Sequence, residues 1–305
     1  MNWFLFALIG PLLYATTNQI DKILLEKYLK SGGVGTLMLF SSLLSALALP
    51  FIFLADPEVF HASATSILVL AIVGILNVAV LWFYFLALKD NEASVVVVFY
   101  QLVPVFGYIL GHYILQEDLR EMQVVAMFTI ILGTTIISFE INENNRLKIR
   151  HKTVFYMLIA SFCWALGSVI FKAVALEENV LVSLFWEHLM LTFAGILIFV
   201  FVRSYRRCFF IALRNNPKKI ISINFLNEAL YISGSIVFSF SYMLAPISLV
   251  LLANSFQSIF VLVIGIFLNS IFPNACIEKV QAKHIGQKIM AICISGVGTY
   301  LLFIS

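Results

Sequence analysis

Ten apolar stretches, each of membrane-crossing length, occupy almost the whole chain. They fall at residues 3–25, 34–55, 66–88, 93–115, 121–139, 153–175, 180–202, 219–244, 246–270 and 286–304. A helix of roughly 20 apolar residues crosses the hydrocarbon core of a bilayer. Lipid offers no hydrogen bonds, so only helices and closed barrels can span it. These runs are continuous and lack the in/out alternation of about ten-residue barrel strands. The chain therefore reads as an all-α polytopic membrane protein of ten transmembrane helices. Composition agrees: 62% of the 305 residues are hydrophobic and 11% charged, against about 25% charged in a soluble domain. Met1 to Ala15 has the apolar core of a signal peptide but no basic segment before it. Asn18, Asp21 and Lys22 follow without a small-x-small cleavage site, so this segment reads as an uncleaved first helix.

Basic residues sort by loop. All of the 19 lysines and arginines except Arg120 and Lys172 fall in or beside the odd-numbered loops. Loop five carries Arg146, Lys148, Arg150 and Lys152; loop seven carries Arg203, Arg206, Arg207, Arg214, Lys218 and Lys219. Basic loops remain cytoplasmic, which places the odd loops inside and both termini outside. The net charge of +3 lies in short loops rather than on one face, so nucleic acid is not an expected partner. Cys163, Cys208, Cys276 and Cys293 have neither metal nor redox spacing and read as packing residues.

Features of the first half recur in the second. Tyr14-Ala15 with Lys22 matches Trp164-Ala165 with Lys172 at an offset of 150. Ala93-Ser94 opens the fourth span and Ala245-Pro246 the ninth; Leu132-Gly133-Thr134 matches Val297-Gly298-Thr299. The organisation is a five-helix unit at 1–140, a basic linker at 141–152 and a second unit at 153–305. An odd number of spans per unit inverts the second copy. Inverted repeats mark secondary transporters, whose site sits near the midplane between the copies.

From span four into span five the chain carries Ala93-Ser94, Gln101, Pro104, Gly111, Gln116-Glu117-Asp118-Leu119 and then Gly133. With the two-unit plan, these residues make the chain resemble the drug/metabolite transporter superfamily in its EamA-type, two-repeat form. Members of that family usually show Gly-Glu-x-Leu where this chain has Gln116 in place of the glycine. After the ninth span the acid is displaced to Glu278, beyond Pro273. Many members have cytoplasmic termini, whereas the charges here argue the reverse. The resemblance implies alternating access by two five-helix bundles, with the first four helices of each unit lining a central cavity and the fifth packing outside. It leaves the substrate open.

Ionisable groups at membrane depth are costly and face a cavity or a partner. In span eight Asn224, Asn227, Glu228, Tyr231 and Ser235 share one helical face, and Glu228 lies ~13 Å deep at 1.5 Å per residue. Glu187 in span seven lies ~12 Å deep; the adjacent His188 points about 100° away and reads as a helix-contact residue. Asn77, Gln101, Asn254 and Gln257 are further midplane amides, with Gln101 placed to satisfy backbone freed near Pro104. Asn18 and Ser168 are repeat-equivalent, as are the aromatic Tyr14 and Trp164. Each of these polar residues has an alternative role as interhelical glue. Lys22 and Lys172 read as snorkelling to the interface, and Asp21 as interfacial beside Lys22.

Two buried acids without a basic partner at their depth suit a cationic or zwitterionic metabolite, with Trp and Tyr faces adding cation–π attraction. A carboxyl in low dielectric also favours its neutral form, so such acids can carry protons; the coupling ion is H+ or Na+. No Walker motif, nucleophile–base spacing or metal-ligand cluster is legible, so neither ATP-driven transport nor enzymatic activity is expected, and no cofactor. Alternatives are a non-transporting scaffold or channel subunit, or an intramembrane lipid-modifying enzyme, for which His112, His188 and Glu187 are too scattered. A duplicated chain can build the whole pathway as a monomer without an obligate protein partner. The absence of targeting sequence points to a prokaryotic cytoplasmic membrane.

Overall fold

The computed structural model describes residues 2–29, 33–91, 93–138, 151–215, 217–271 and 285–304. Lys30, Arg146, Lys148, Arg150, Cys276, Glu278, Lys279 and Lys283 lie outside them, with most of the 141–152 linker. The described chain is helical, without a strand. In order the helices are α1 (Asn2–Ile23), α2 (Gly33–Ala55), α3 (Ala64–Lys89), α4 (Val95–Leu115), α5 (Glu121–Ser138), α6 (His151–Glu177), α7 (Val180–Phe201), α8 (Arg203–Asn215), α9 (Pro217–Tyr242), α10 (Ile247–Leu268) and α11 (Ile285–Ile304).

Seven of these, α2, α3, α4, α6, α7, α9 and α10, are long and apolar enough to cross a bilayer. Of the other three expected spans, α1 has 22 residues but ends in the polar run Thr16-Thr17-Asn18-Gln19. The apolar stretches of α5 and α11 are short, Glu121–Ile136 and Cys293–Ile304. Loop seven, read from sequence as a connection, contains the helix α8. Its Phe209 ring lies 4.5 Å from Phe40, while Arg203, Arg207 and Arg214 are exposed. Arg206 donates to the carbonyls of Phe199 and Val200, oxygens that the last turn of α7 leaves unpaired.

Polarity is arranged for lipid. Phe51, Leu54, Tyr113 and Phe201 are each more than 70% exposed, whereas Asp21, Lys22, Lys172, Asn227 and Glu228 are buried. Helix α1 packs on α9, α3 on α6 and α7, α4 on α6 and α10, and α5 on α11. Glycines permit the closest crossings. A methyl on Gly298 would lie 2.9 Å from the Ile130 backbone nitrogen, and one on Gly10 would overlap the Phe238 ring.

Three of the long helices tighten over a short turn, α2 at Ser45–Leu47. In α4 the tight turn is Val98–Gln101, three residues before Pro104, whose ring cannot sit against a regular preceding turn. In α10 it is Asn254–Phe256. Gln101 does not serve its own backbone, as the sequence suggested. It reaches α10, donating to the Ser255 carbonyl and the Ser258 hydroxyl, both at 3.1 Å, and so ties the tightened turns of α4 and α10 together.

The two lysines read as snorkelling are instead buried. Lys22 donates to the carbonyls of Leu88 (3.1 Å) and Asn91 (2.7 Å) at the end of α3 and pairs with Glu26 at 2.9 Å. Lys172 donates to the Ala245 carbonyl (2.8 Å) just beyond α9 and pairs with Glu117 at 2.5 Å. The other Glu117 oxygen accepts from the Ile247 N–H at the start of α10. Ends of helices offer carbonyls without an intrahelical partner, and an ammonium meets that need. Removing one partner of a buried pair strands the other. Glu117→Ala is therefore expected to lower stability by about 3 kcal/mol, and Glu117→Gln with Lys172→Met to recover most of it. Thermal unfolding of the purified protein in detergent measures both; equal losses in the single and double variants would contradict the buried pair.

Candidate functional site

Two adjoining chambers lie between the helices. The first, about 690 Å³ including the space at its mouth, is lined by residues of α1, α2, α3, α4, α6, α7, α9 and α10. The second, about 370 Å³, is lined by α1, α3, α6, α7 and α9. Tyr14, Asn77, Trp164 and Tyr231 line both, so they form the wall between them. Among the described residues, none of α5 or α11 lines either chamber.

The wall is a packed aromatic group. The Tyr14 ring centroid is 5.9 Å from Trp164, 5.4 Å from Tyr231 and 5.6 Å from Phe238, the last nearly parallel. Trp164 meets Tyr100 edge-on at 4.8 Å. Edge-to-face and offset pairs are the favoured aromatic arrangements. Gly234 makes room for Tyr14: a methyl there would stand 2.7 Å from a Tyr14 ring carbon.

The first chamber holds two carboxyl groups, Asp21 and Glu228. Asp21 accepts from the Asn227 amide at 2.7 Å and from the Tyr84 hydroxyl at 3.4 Å; that hydroxyl also donates to Asn18 at 2.8 Å. Glu228 is 2% exposed, and its Oε1 has no hydrogen-bond partner. The second chamber holds Glu187, whose Oε1 accepts from Asn77 at 2.6 Å. At its other side the Tyr242 hydroxyl donates to Ser168 at 3.1 Å. Among the described residues, no lysine, arginine or histidine lines either chamber.

Of the residues singled out from sequence, Glu228, Asn227, Asn18 and Gln257 line the first chamber, Glu187 and Ser168 the second, and Tyr14, Trp164, Tyr231 and Asn77 both. Three do not belong. Asn224 lies on the expected face of α9 but turns its amide back to the Ile220 carbonyl, 2.8 Å away. Gln101 is committed to α10 as described above. Asn254 is buried in the tightened turn of α10 and lines neither chamber. His188 points away from both, with Nδ1 2.7 Å from the Ser45 hydroxyl, as expected of a helix-contact residue.

Sequence reasoning took Asp21 as interfacial beside Lys22; its side chain is buried and lines the first chamber. It sits one residue before a lysine, where a charged pair usually marks the end of a span. In the structure the helical path continues through a wider turn at Leu24–Tyr28, which leaves residue 21 inside. Tyr84, Tyr100, Thr17 and Ser41 were also missed. Nothing in the sequence singled out Tyr84, which lies one turn before Leu88, whose carbonyl meets Lys22.

Residues 1–139 match the model of the EamA-like transporter family. No curated protein matches the chain. Among solved structures, one crystal structure of a protein aligns over 99% of this chain and 95% of its own with a TM-score of 0.60 at 13% identity, a likeness of fold. The Gly234–Tyr14 contact gives a direct test of the wall. Gly234→Ala is expected to cost about 1–3 kcal/mol through overpacking, and Tyr14→Ala in the same chain to remove that extra cost. Thermal melts of the four proteins in the cycle measure it, and a Gly234→Ala cost independent of residue 14 would contradict the contact.

Proposed function

We propose, on the premise that residues 1–139 belong to the EamA-like transporter family, that the chain is a secondary transporter for a small cationic or zwitterionic metabolite. The single observation that carries the substrate class is the pair of adjoining chambers that hold the buried Asp21 and Glu228 and the half-buried Glu187, with no basic side chain among the described residues of their lining. A positive group bound there gains charge-assisted hydrogen bonds and aromatic faces together. A strongly anionic ligand would find no partner in the lining.

Alternating access between two inverted five-helix units is the mechanism we infer. Its support is internal. Lys22 binds carbonyls at the end of α3 and Lys172 one just beyond α9; Tyr84 donates to Asn18 and Tyr242 to Ser168. Each interaction in the first half thus has a counterpart in the second, with the α1 and α6 partners 150 positions apart. The packing of α1 on α9 likewise mirrors that of α6 on α3. On this reading ten helices cross the membrane, α8 lies along its surface, and α1 enters the bilayer because its polar end faces the chambers rather than lipid. The units are 1–140 and 153–305. The charge distribution sets the odd loops in the cytoplasm and both termini outside, in the cytoplasmic membrane of a prokaryote. A monomer contains the full path. Buried carboxyl groups that exchange protons with the substrate's positive charge would couple transport to a proton gradient.

In proteoliposomes, saturable amine uptake driven by an imposed proton gradient is expected, independent of nucleotide. Glu228→Gln is expected to reduce it by about tenfold or more, since a charge-assisted contact is worth ~1.5–3 kcal/mol. A stable, folded protein that moves and binds no amine would favour the scaffold reading. For orientation, a single cysteine at Arg207 in a cysteine-free background should resist a membrane-impermeant maleimide in intact cells and react after permeabilisation. Labelling of intact cells would reverse the topology.

A further inference from the structure

We propose that the substrate is a dication, an aliphatic α,ω-diamine held end to end across the wall, with one ammonium at Asp21 and Glu228 and the other at Glu187. The inference rests on the reading of the chambers as a cation transport site and narrows it.

The acids are divided between the chambers. Asp21 and Glu228 line only the first, and Glu187 only the second. Tyr231, in the wall, lines both chambers, so the carboxyl groups on its two sides are separated by one layer of side chains. The two chambers also point to opposite ends of the molecule. The first reaches Tyr84 and Asp21, near the C-terminal ends of α3 and α1; the second reaches Phe171 and Tyr242, near those of α6 and α9. A ligand touching both acid groups therefore lies lengthwise along the path.

A monoamine neutralises one chamber and leaves a carboxyl group unmatched in the other, where charge without a partner is costly. A zwitterion brings a carboxylate that would need a cation, and the lining has none. A diamine brings one ammonium to each chamber, Asp21 and Glu228 sharing theirs with one of that pair protonated. Its methylene chain would lie among the rings of Tyr14, Trp164 and Tyr231, which part to admit it and whose faces attract each ammonium. Glu228 Oε1, buried and without a partner, marks where one end docks.

The test is calorimetric titration of the protein in lipid nanodiscs with 1,4-diaminobutane, 1,5-diaminopentane and 1,6-diaminohexane, each against the monoamine of equal length. A diamine is expected to bind at least about tenfold more tightly than its monoamine, the worth of one further charged contact. Glu187→Gln should lower diamine affinity by about tenfold and monoamine affinity by less, so that the advantage of the diamine disappears. Glu187→Asp, which retains the charge, should keep the advantage and shift the preferred length; it answers the question if Glu187→Gln does not fold. Equal binding of diamines and monoamines, or equal loss of both in Glu187→Gln, overturns the dication. If monoamines still bind and depend on Glu228, the broader cation reading survives that result. If no amine binds while neutral or anionic compounds do, both readings fall.

Discussion

An ammonium buried among apolar helices is stable only where oxygens surround it, and this fold meets that condition at two places. Lys22 finds two carbonyls and Glu26; Lys172 finds one carbonyl and Glu117. Both sit where a neighbouring helix ends and its last carbonyls would otherwise face a medium without donors. Each lysine thereby fixes the end of a long helix against the helix that carries it. Because α1 and α6 carry these lysines and also line both chambers, the positions of Tyr14 and Trp164 follow from where the lysines anchor.

The same need for internal partners explains why polar residues concentrate at the centre. Lipid-facing positions are filled by Phe51, Leu54 and Phe201, and the polar groups turn inward until they meet one another. Some complete their bonds by crossing between helices, as Gln101 does to α10 and Asn227 to Asp21. Others remain short of partners, including Glu228 Oε1 and both amide atoms of Asn254. Glu228 faces a chamber and can await a ligand; Asn254 does not, and water of hydration suits it better.

Much of this was legible in the sequence because two periodicities survive in it. The spacing of Asn227, Glu228 and Tyr231 gave one face of α9, and the 150-residue offset paired Tyr14 with Trp164 and Asn18 with Ser168. All of these line the chambers. Periodicity could not say whether an amide turns outward from its helix or back onto it, which is why Asn224 misled. Nor could local sequence reveal that Asp21 remains inside, since that depends on the wider turn after Ile23. Tyr84 and Tyr100 escaped notice because an aromatic residue in an apolar run resembles any other packing residue until its hydroxyl finds a partner. Helix α8 was hidden for a different reason: thirteen residues with four arginines read as a connection until Phe209 and Tyr205 show what they pack against.

The turn after α4 carries a mechanical consequence. Gln116 adopts φ 55, the left-handed region that glycine enters most freely, and its amide donates to the Tyr113 carbonyl at 3.1 Å. What this position retains is the reversal of the chain rather than the residue that makes it easiest. The reversal sends Glu117 back, its N–H to the Gly111 carbonyl at 3.2 Å and its carboxylate to Lys172 and the Ile247 N–H. One side chain thus rivets the end of α4, the body of α6 and the start of α10. Any rocking of the two halves at this end must either carry the three helices together as a single lever or shear that rivet.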